Sequence, residues 1–318
     1  VVGGILPGVA WLYRDHLQDR EVVAMALLLA ANPILLYYSR FMRNDVLVAT
    51  FALAALGFAL RTHATGRGRY AAAAGLSFAL ALGSKENALL YLLAWVGAAG
   101  LLLAWRYRRT GALSTPGKWQ GRPAALGFSQ TVPYLRHGTV AVAFMLPILW
   151  VIYLPRGSGP GTLEGLLQDP GTLPTALTAG LLTPPVEAVS FWALGSAQGE
   201  YPYYVFFALL LCLLVTGAFG TLLLSGIGIW RTRPSDRNRP LVAFAGLWAA
   251  LSVIGYPAAA DLMAGWTALH AVIPLTVPAA VGLASLRDRP VDWHGRLPGR
   301  RTVLALVAAY LLLAGGLT

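Results

Sequence analysis

The feature that most constrains this chain is a repeated alternation of long apolar runs with short polar connections. The runs cover roughly 1–13, 22–38, 46–60, 70–83, 88–105, 139–154, 203–230, 240–257, 266–286 and 303–317. A helix needs about 20 predominantly apolar residues to cross a bilayer, and only structures that satisfy their own backbone can do so. The pattern therefore predicts an all-α fold, a polytopic membrane helix bundle of about ten transmembrane helices. Runs that fall short carry Tyr, Trp and Arg at their ends, which extend a span by snorkelling. The short run 70–83 is read as one arm of a helical hairpin with 88–105.

Charge supports this division. Only 12% of residues are charged against 57% hydrophobic, where a soluble domain is about a quarter charged. If the connections are numbered one to nine, the odd ones hold twenty of the 24 Lys and Arg residues and the even ones four: Arg40, Arg43, Lys85 and Arg156. A missed or invented helix would scramble that alternation. By the positive-inside rule the odd connections are expected in the cytoplasm and the even ones outside. The net charge of +11 is spread through these connections, not gathered on one face, so no nucleic-acid partner is expected. The basic fifth connection, 106–138, reads as a loop near anionic lipid headgroups. The single cysteine, Cys212, excludes an intrachain disulfide and a cysteine-based metal site.

The whole of 1–318 reads as one transmembrane domain. Its sixth connection, 155–202, is a long outer loop in which 173–182 and 186–194 are candidate interfacial helices. The chain opens inside one apolar run and closes inside another, so a fragment is expected.

Phosphate loops, nucleophile elbows and zinc-protease motifs are absent, and the five histidines have no ligand-like spacing. What remains is outward charge. Loop two reads Ser39-Arg40-Phe-Met-Arg43-Asn-Asp45 and loop four Ser84-Lys85-Glu86-Asn87; both join consecutive helices and are expected to lie close together. Three cations there could hold a phosphate at headgroup depth, Arg as a fork and Lys as a point charge. A carboxylate beside them, Asp45 or Glu86, could act on a hydroxyl or hold a divalent metal. The alternative is structural: Asp45 and Ser84 cap the helices that follow, while Lys85 and Glu86 are solvated anchors. Both readings fit the residues. Glu200, Tyr201, Tyr203 and Tyr204 open the seventh run, as an aromatic belt or as a sugar-stacking wall. Trp266 and His270 open the ninth; a histidine inside a membrane helix is a functional candidate by default.

The stretch Asn32-Pro-Ile-Leu-Leu-Tyr-Tyr-Ser-Arg-Phe-Met-Arg-Asn-Asp45-Val-Leu-Val, with Gly83-Ser-Lys-Glu-Asn87, resembles an archaeal flippase-activity-associated family. That family belongs with the protein mannosyltransferase-like, GT-C type membrane glycosyltransferases. The spacing of Asp45 and Lys85 also resembles that of aminoarabinose transferases. Gln198-Gly-Glu-Tyr-Pro-Tyr-Tyr204 and Trp266-Thr-Ala-Leu-His270-Ala-Val-Ile-Pro274 are similar to further family stretches. The resemblance implies transfer of a sugar from a polyprenyl or dolichyl phosphate carrier to a glycan or protein acceptor, in the cell membrane with the active site outside. Under it Asp45 is the carboxylate of the second outer loop, and with Glu86 from the reading of loop four it makes the candidate catalytic pair. Lys85, Arg40, Arg43 and His270 face the lipid phosphate, His270 standing where relatives have an Arg-Tyr pair. Glu200, Tyr201, Tyr203, Tyr204 and Trp266 line the sugar or acceptor cavity. It also places the family's usual acidic base in a loop before Val1. The alternatives are a lipid-linked sugar flippase or its accessory, which should show broken helices or buried charge, and a structural membrane subunit.

Overall fold

The computed structural model describes residues 2–40, 44–85, 87–110, 128–184, 186–187, 202–233, 235–259 and 265–288, and among them the regular structure is entirely helical. Helix α1 (Val2–Val9) runs into a 3-10 turn, Ala10–Tyr13. Then follow α2 (Asp19–Ala31), α3 (Pro33–Arg40), α4 (Asp45–Thr65), α5 (Gly68–Ser84), α6 (Ala88–Thr110) and α7 (Phe128–Tyr153). The connection after α7 holds α8 (Leu163–Gln168), α9 (Leu173–Leu177) and a π turn, Thr178–Leu182. Helices α10 (Tyr203–Gly217), α11 (Phe219–Arg231), α12 (Arg239–Ala259) and α13 (Thr267–Asp288) complete the bundle.

Five of these helices, α4, α6, α7, α12 and α13, are long and apolar enough to cross a membrane, and seven spans result if each of two bent pairs counts as one. The expected ten is thus not reached among the described residues, for three physical reasons. Helix α1 has eight residues and α5 has 17, below the length of a full span. The run 22–38 bends by 48° between α2 and α3. The run 203–230, expected as one helix, turns by 88° between α10 and α11. The tenth run, 303–317, lies outside the described residues. One boundary also moves: α7 begins at Phe128, inside what the sequence reads as loop.

The bends have local causes. Pro33 opens α3, and Asn32 caps it, its Oδ1 accepting from the Ile34 and Leu35 amides at 3.0 and 3.2 Å. The second bend falls at Ala218, between Gly217 and Gly220, where helix propensity is poor. The two breaks touch. Asn32 Nδ2 donates to Thr221 Oγ1 at 3.0 Å, and a Cβ on Gly217 would lie 3.0 Å from Ile34. The connection from α4 to α5 is made by Gly66, left-handed at φ 67°, a helix end that needs glycine.

Helix α13 is the bundle's centre, packed against α11, α12, α2 and, near its start, α4. It meets α11 with backbone against backbone: a Cβ on Gly228 would run into the Pro278 carbonyl, and one on Gly282 into that of Leu224. Small residues at such crossings are what lets membrane helices approach closely. Ser225 Oγ bridges the same pair by donating to the Leu275 carbonyl at 2.9 Å, next to Pro278. This axis brings the first turn of α13 against the first turn of α4.

Candidate functional site

Asp45 is the first residue of α4 and is 1% exposed. The N-cap position belongs to Asn44 instead, whose Nδ2 donates to the Ser84 carbonyl at 3.0 Å and so ties loop two to loop four. The expected neighbourhood of the two loops is therefore present, but the expected caps are not. Ser84 ends α5, its hydroxyl turned back onto the Leu80 carbonyl at 2.7 Å, and leaves α6 uncapped by it. The chain is extended at Lys85 (φ −169°), which carries it from one helix of the hairpin to the next.

Three side chains converge on Asp45 Oδ1. Lys85 Nζ lies at 3.1 Å, Asn87 Nδ2 donates at 3.2 Å, and His270 Nε2 stands at ion-pair distance, 3.6 Å. Burying a carboxylate requires such pairing. The cation is not buried with it: the Lys85 side chain keeps 29% of its surface exposed and its ammonium sits 5.9 Å from the Trp266 ring centre, so it can still meet a ligand. His270 is fixed from behind. Tyr91 hydroxyl lies 2.6 Å from Nδ1, and the Tyr256 ring stacks on the imidazole at 4.6 Å, 6° from parallel. Asn87 Nδ2 also lies 3.4 Å from His270 Nε2, so the imidazole is held between Tyr91 on one nitrogen and Asp45 with Asn87 on the other. Trp248 and Trp95 wedge edge-on around Tyr91, completing an aromatic wall. Three buried polar atoms of this cluster, Asn87 Oδ1, Trp95 Nε1 and Tyr256 Oη, have no hydrogen-bond partner among the described residues.

The residues expected at the site thus divide. Asp45, Lys85, His270 and Trp266 are brought together. Arg40 ends α3 and is exposed; the helix passes close by, since a Cβ on Gly265 would lie 2.6 Å from the Tyr38 hydroxyl. Tyr203 donates to the Ile254 carbonyl at 3.1 Å, and Tyr204 is 70% exposed on the same helix. Arg43, Glu86, Glu200 and Tyr201 lie outside the described residues. The described residues contain no group of three His, Cys, Asp or Glu side chains that could hold a metal ion.

Asn87, Tyr91 and Tyr256 were not singled out by the sequence. A signal existed for the first two: they are polar residues four apart at the start of an apolar run, hence on one face of a helix.

The family model of the dolichyl-phosphate-mannose-protein mannosyltransferases matches residues 2–137. That stretch contains Asp45, Lys85, Asn87 and Tyr91 and stops before His270. The match is a likeness to that family over the first part of the chain. No curated protein and no solved structure matches it.

Proposed function

Starting from that family likeness and the Asp45 cluster, we propose that this protein is a GT-C type membrane glycosyltransferase. In this reading it moves a sugar from a polyprenyl phosphate carrier to a hydroxyl acceptor on the outer face of the membrane. The observation that carries the reading is the partly exposed side chain of Lys85, its ammonium held on a buried carboxylate, within the matched stretch. The acceptor oxygen bonds to the anomeric carbon as the bond from that carbon to the phosphate oxygen breaks, and polyprenyl phosphate leaves as an anion. Charge grows on the leaving phosphate, and a preorganised cation beside it lowers the barrier. Lys85, with Arg40 and Arg43 from loop two, supplies that charge.

Asp45 is then a positioning residue. Its Oδ1 is committed to Lys85, Asn87 and His270 inside the bundle, which suits it to aim the ammonium and leaves the acceptor's proton to another carboxylate. Glu86, next to Lys85 in the chain, is the candidate for that proton. Trp266, its ring centre 5.9 Å from the ammonium, stacks on the sugar in this reading.

Binding of a radiolabelled polyprenyl phosphate sugar to the purified full-length protein tests this assignment. Lys85→Ala should weaken it about 10- to 100-fold, the worth of a hydrogen bond to a charged group, and Lys85→Arg should restore part of the loss. Undiminished binding with Lys85, Arg40 and Arg43 all replaced would put the phosphate elsewhere.

One observation favours a second reading, translocation of the lipid-linked sugar. The two bent pairs meet at their breaks through Asn32 and Thr221, and discontinuous helices crossing in mid-bundle are a feature of transporters.

A further inference from the structure

His270 is only 1% exposed, as is Asp45, so the imidazole is poorly placed to touch a ligand phosphate itself. What it meets is the carboxylate. Its Nε2 stands 3.6 Å from Asp45 Oδ1, the same oxygen that holds the Lys85 ammonium at 3.1 Å. Two groups able to carry positive charge thus share one buried oxygen, and of the two Lys85 is the one with exposed surface.

That sharing matters once an anion binds. In the empty cluster one ammonium balances one carboxylate. A phosphate drawing on Lys85 leaves a single cation serving two anions, one of them buried. A buried charge that loses its partner is costly, and an ammonium that bridges both anions divides its charge without adding any. His270 stands on the same oxygen and is able to gain a charge.

Its surroundings satisfy either form of the ring. A neutral imidazole can donate from Nδ1 to the Tyr91 hydroxyl at 2.6 Å and accept at Nε2 from Asn87 Nδ2 at 3.4 Å. A protonated one keeps the Tyr91 contact and turns Nε2–H to Asp45. The Tyr256 ring, stacked 4.6 Å away and 6° from parallel, presents its face to that charge.

The groups facing His270 are Asp45 of α4, Lys85 before α6, Tyr91 of α6 and Tyr256 of α12, with exposed Arg40 at the end of α3. Other charged residues of the packed helices stand at the opposite end of the bundle. Arg231 of α11 donates to the Ser285 carbonyl, and Arg20 and Glu21 of α2, next to Asp19, line a cavity with Ser285. Ser285 is fifteen residues beyond His270, about 22 Å along the helix. Arg61 and His63 end α4, Arg106, Arg108 and Arg109 end α6, and Arg239 opens α12, each a helix length from the cluster.

We propose, resting on the phosphate contact assigned to Lys85, that His270 is a positioning residue that takes up a proton when the lipid phosphate engages that ammonium. The imidazolium then replaces Lys85 as the partner of Asp45 and leaves the ammonium to the phosphate. The proton comes from water as the ligand binds and returns to water as polyprenyl phosphate leaves.

Calorimetry of the purified full-length protein with geranyl methyl phosphate tests this. That phosphodiester keeps one fixed charge between about pH 5 and 8, where histidine changes its own. In paired buffers of different ionisation heat, wild type should take up about one proton per probe bound. Its affinity should fall with rising pH by up to about tenfold per unit, the slope of one linked proton. His270→Gln cannot gain a charge, and should bind alike at every pH without proton uptake. Asp45→Asn keeps the imidazole yet should also abolish the uptake, because no buried anion is left to neutralise. Binding that needs Lys85 but is equal across the range, with the same heat in both buffers, overturns the inference and leaves the phosphate contact standing. Uptake that survives His270→Gln overturns it as well, and no binding at any pH ends both. The wild-type buffer comparison stands even if either variant fails to fold.

Discussion

Asp45→Asn in the full-length protein should reduce sugar transfer at least about 100-fold, the scale of losing one preorganised electrostatic element, with little change in unfolding temperature. The asparagine has nearly the same shape and can still accept from Lys85 and Asn87, but it carries no charge to hold the ammonium or to attract the imidazole of His270. Removing one partner of a buried ion pair is severe when it strands the other. Here Lys85 keeps 29% of its side-chain surface exposed, so its charge can turn to water and the fold is spared. Helix capping cannot explain a loss, because Asn44 holds the N-cap and asparagine caps about as well as aspartate anyway. Tyr91→Phe offers the graded comparison: it removes only the hydroxyl 2.6 Å from His270 Nδ1 and should cost less. Activity of Asp45→Asn within twofold of wild type would end the positioning role.

A second large effect is expected far from the site and on stability alone. Gly282→Leu, or Gly228→Leu, should prevent assembly of a monodisperse protein, because each first meets a backbone carbonyl of the facing helix, Leu224 or Pro278. Backbone cannot swing aside as a flexible side chain does, so α11 and α13 would have to separate. Even alanine at either position should destabilise by about 3 kcal/mol, the upper end of ordinary overpacking. Gly246→Ala is the control: its new methyl would lie 3.6 Å from Ile229, an ordinary contact, and a helical Gly→Ala change favours the helix by about 1 kcal/mol. Size-exclusion profiles and unfolding temperatures in detergent separate these cases, and a well-behaved Gly282→Leu would mean that the crossing is looser than described.

Helical character was legible because apolar runs and their basic connections report on solvent, and the bilayer imposes the rest. The size of the 88° turn after Gly217 was not, since the run stays apolar through Gly217-Ala218-Phe219; the glycines permit a break there, and Ile34 and Asn32 from another helix pack against it. The site divides in the same way. Asp45 and Lys85 stand out as charges in short loops, and His270 as a lone polar residue in an apolar run. That Ser84 turns backward onto Leu80 while Asn87 turns inward to Asp45 depends on the path between two helices, which residue type alone does not encode. Tyr256 reaches His270 from α12, fourteen positions earlier in the chain, and no local spacing announces such a pair.

The most direct test is a reconstitution that watches both possible fates of the donor. Full-length protein in liposomes is given a polyprenyl phosphate sugar labelled in the sugar, with a hydroxyl acceptor outside, and label is followed on the acceptor and across the bilayer. The account predicts that label appears on the acceptor, that free polyprenyl phosphate accumulates in equal amount, and that Asp45→Asn stops both. Label that crosses the bilayer still joined to its lipid, with none on the acceptor, would contradict it and make the crossed helix breaks at Asn32 and Thr221 the working part of the molecule.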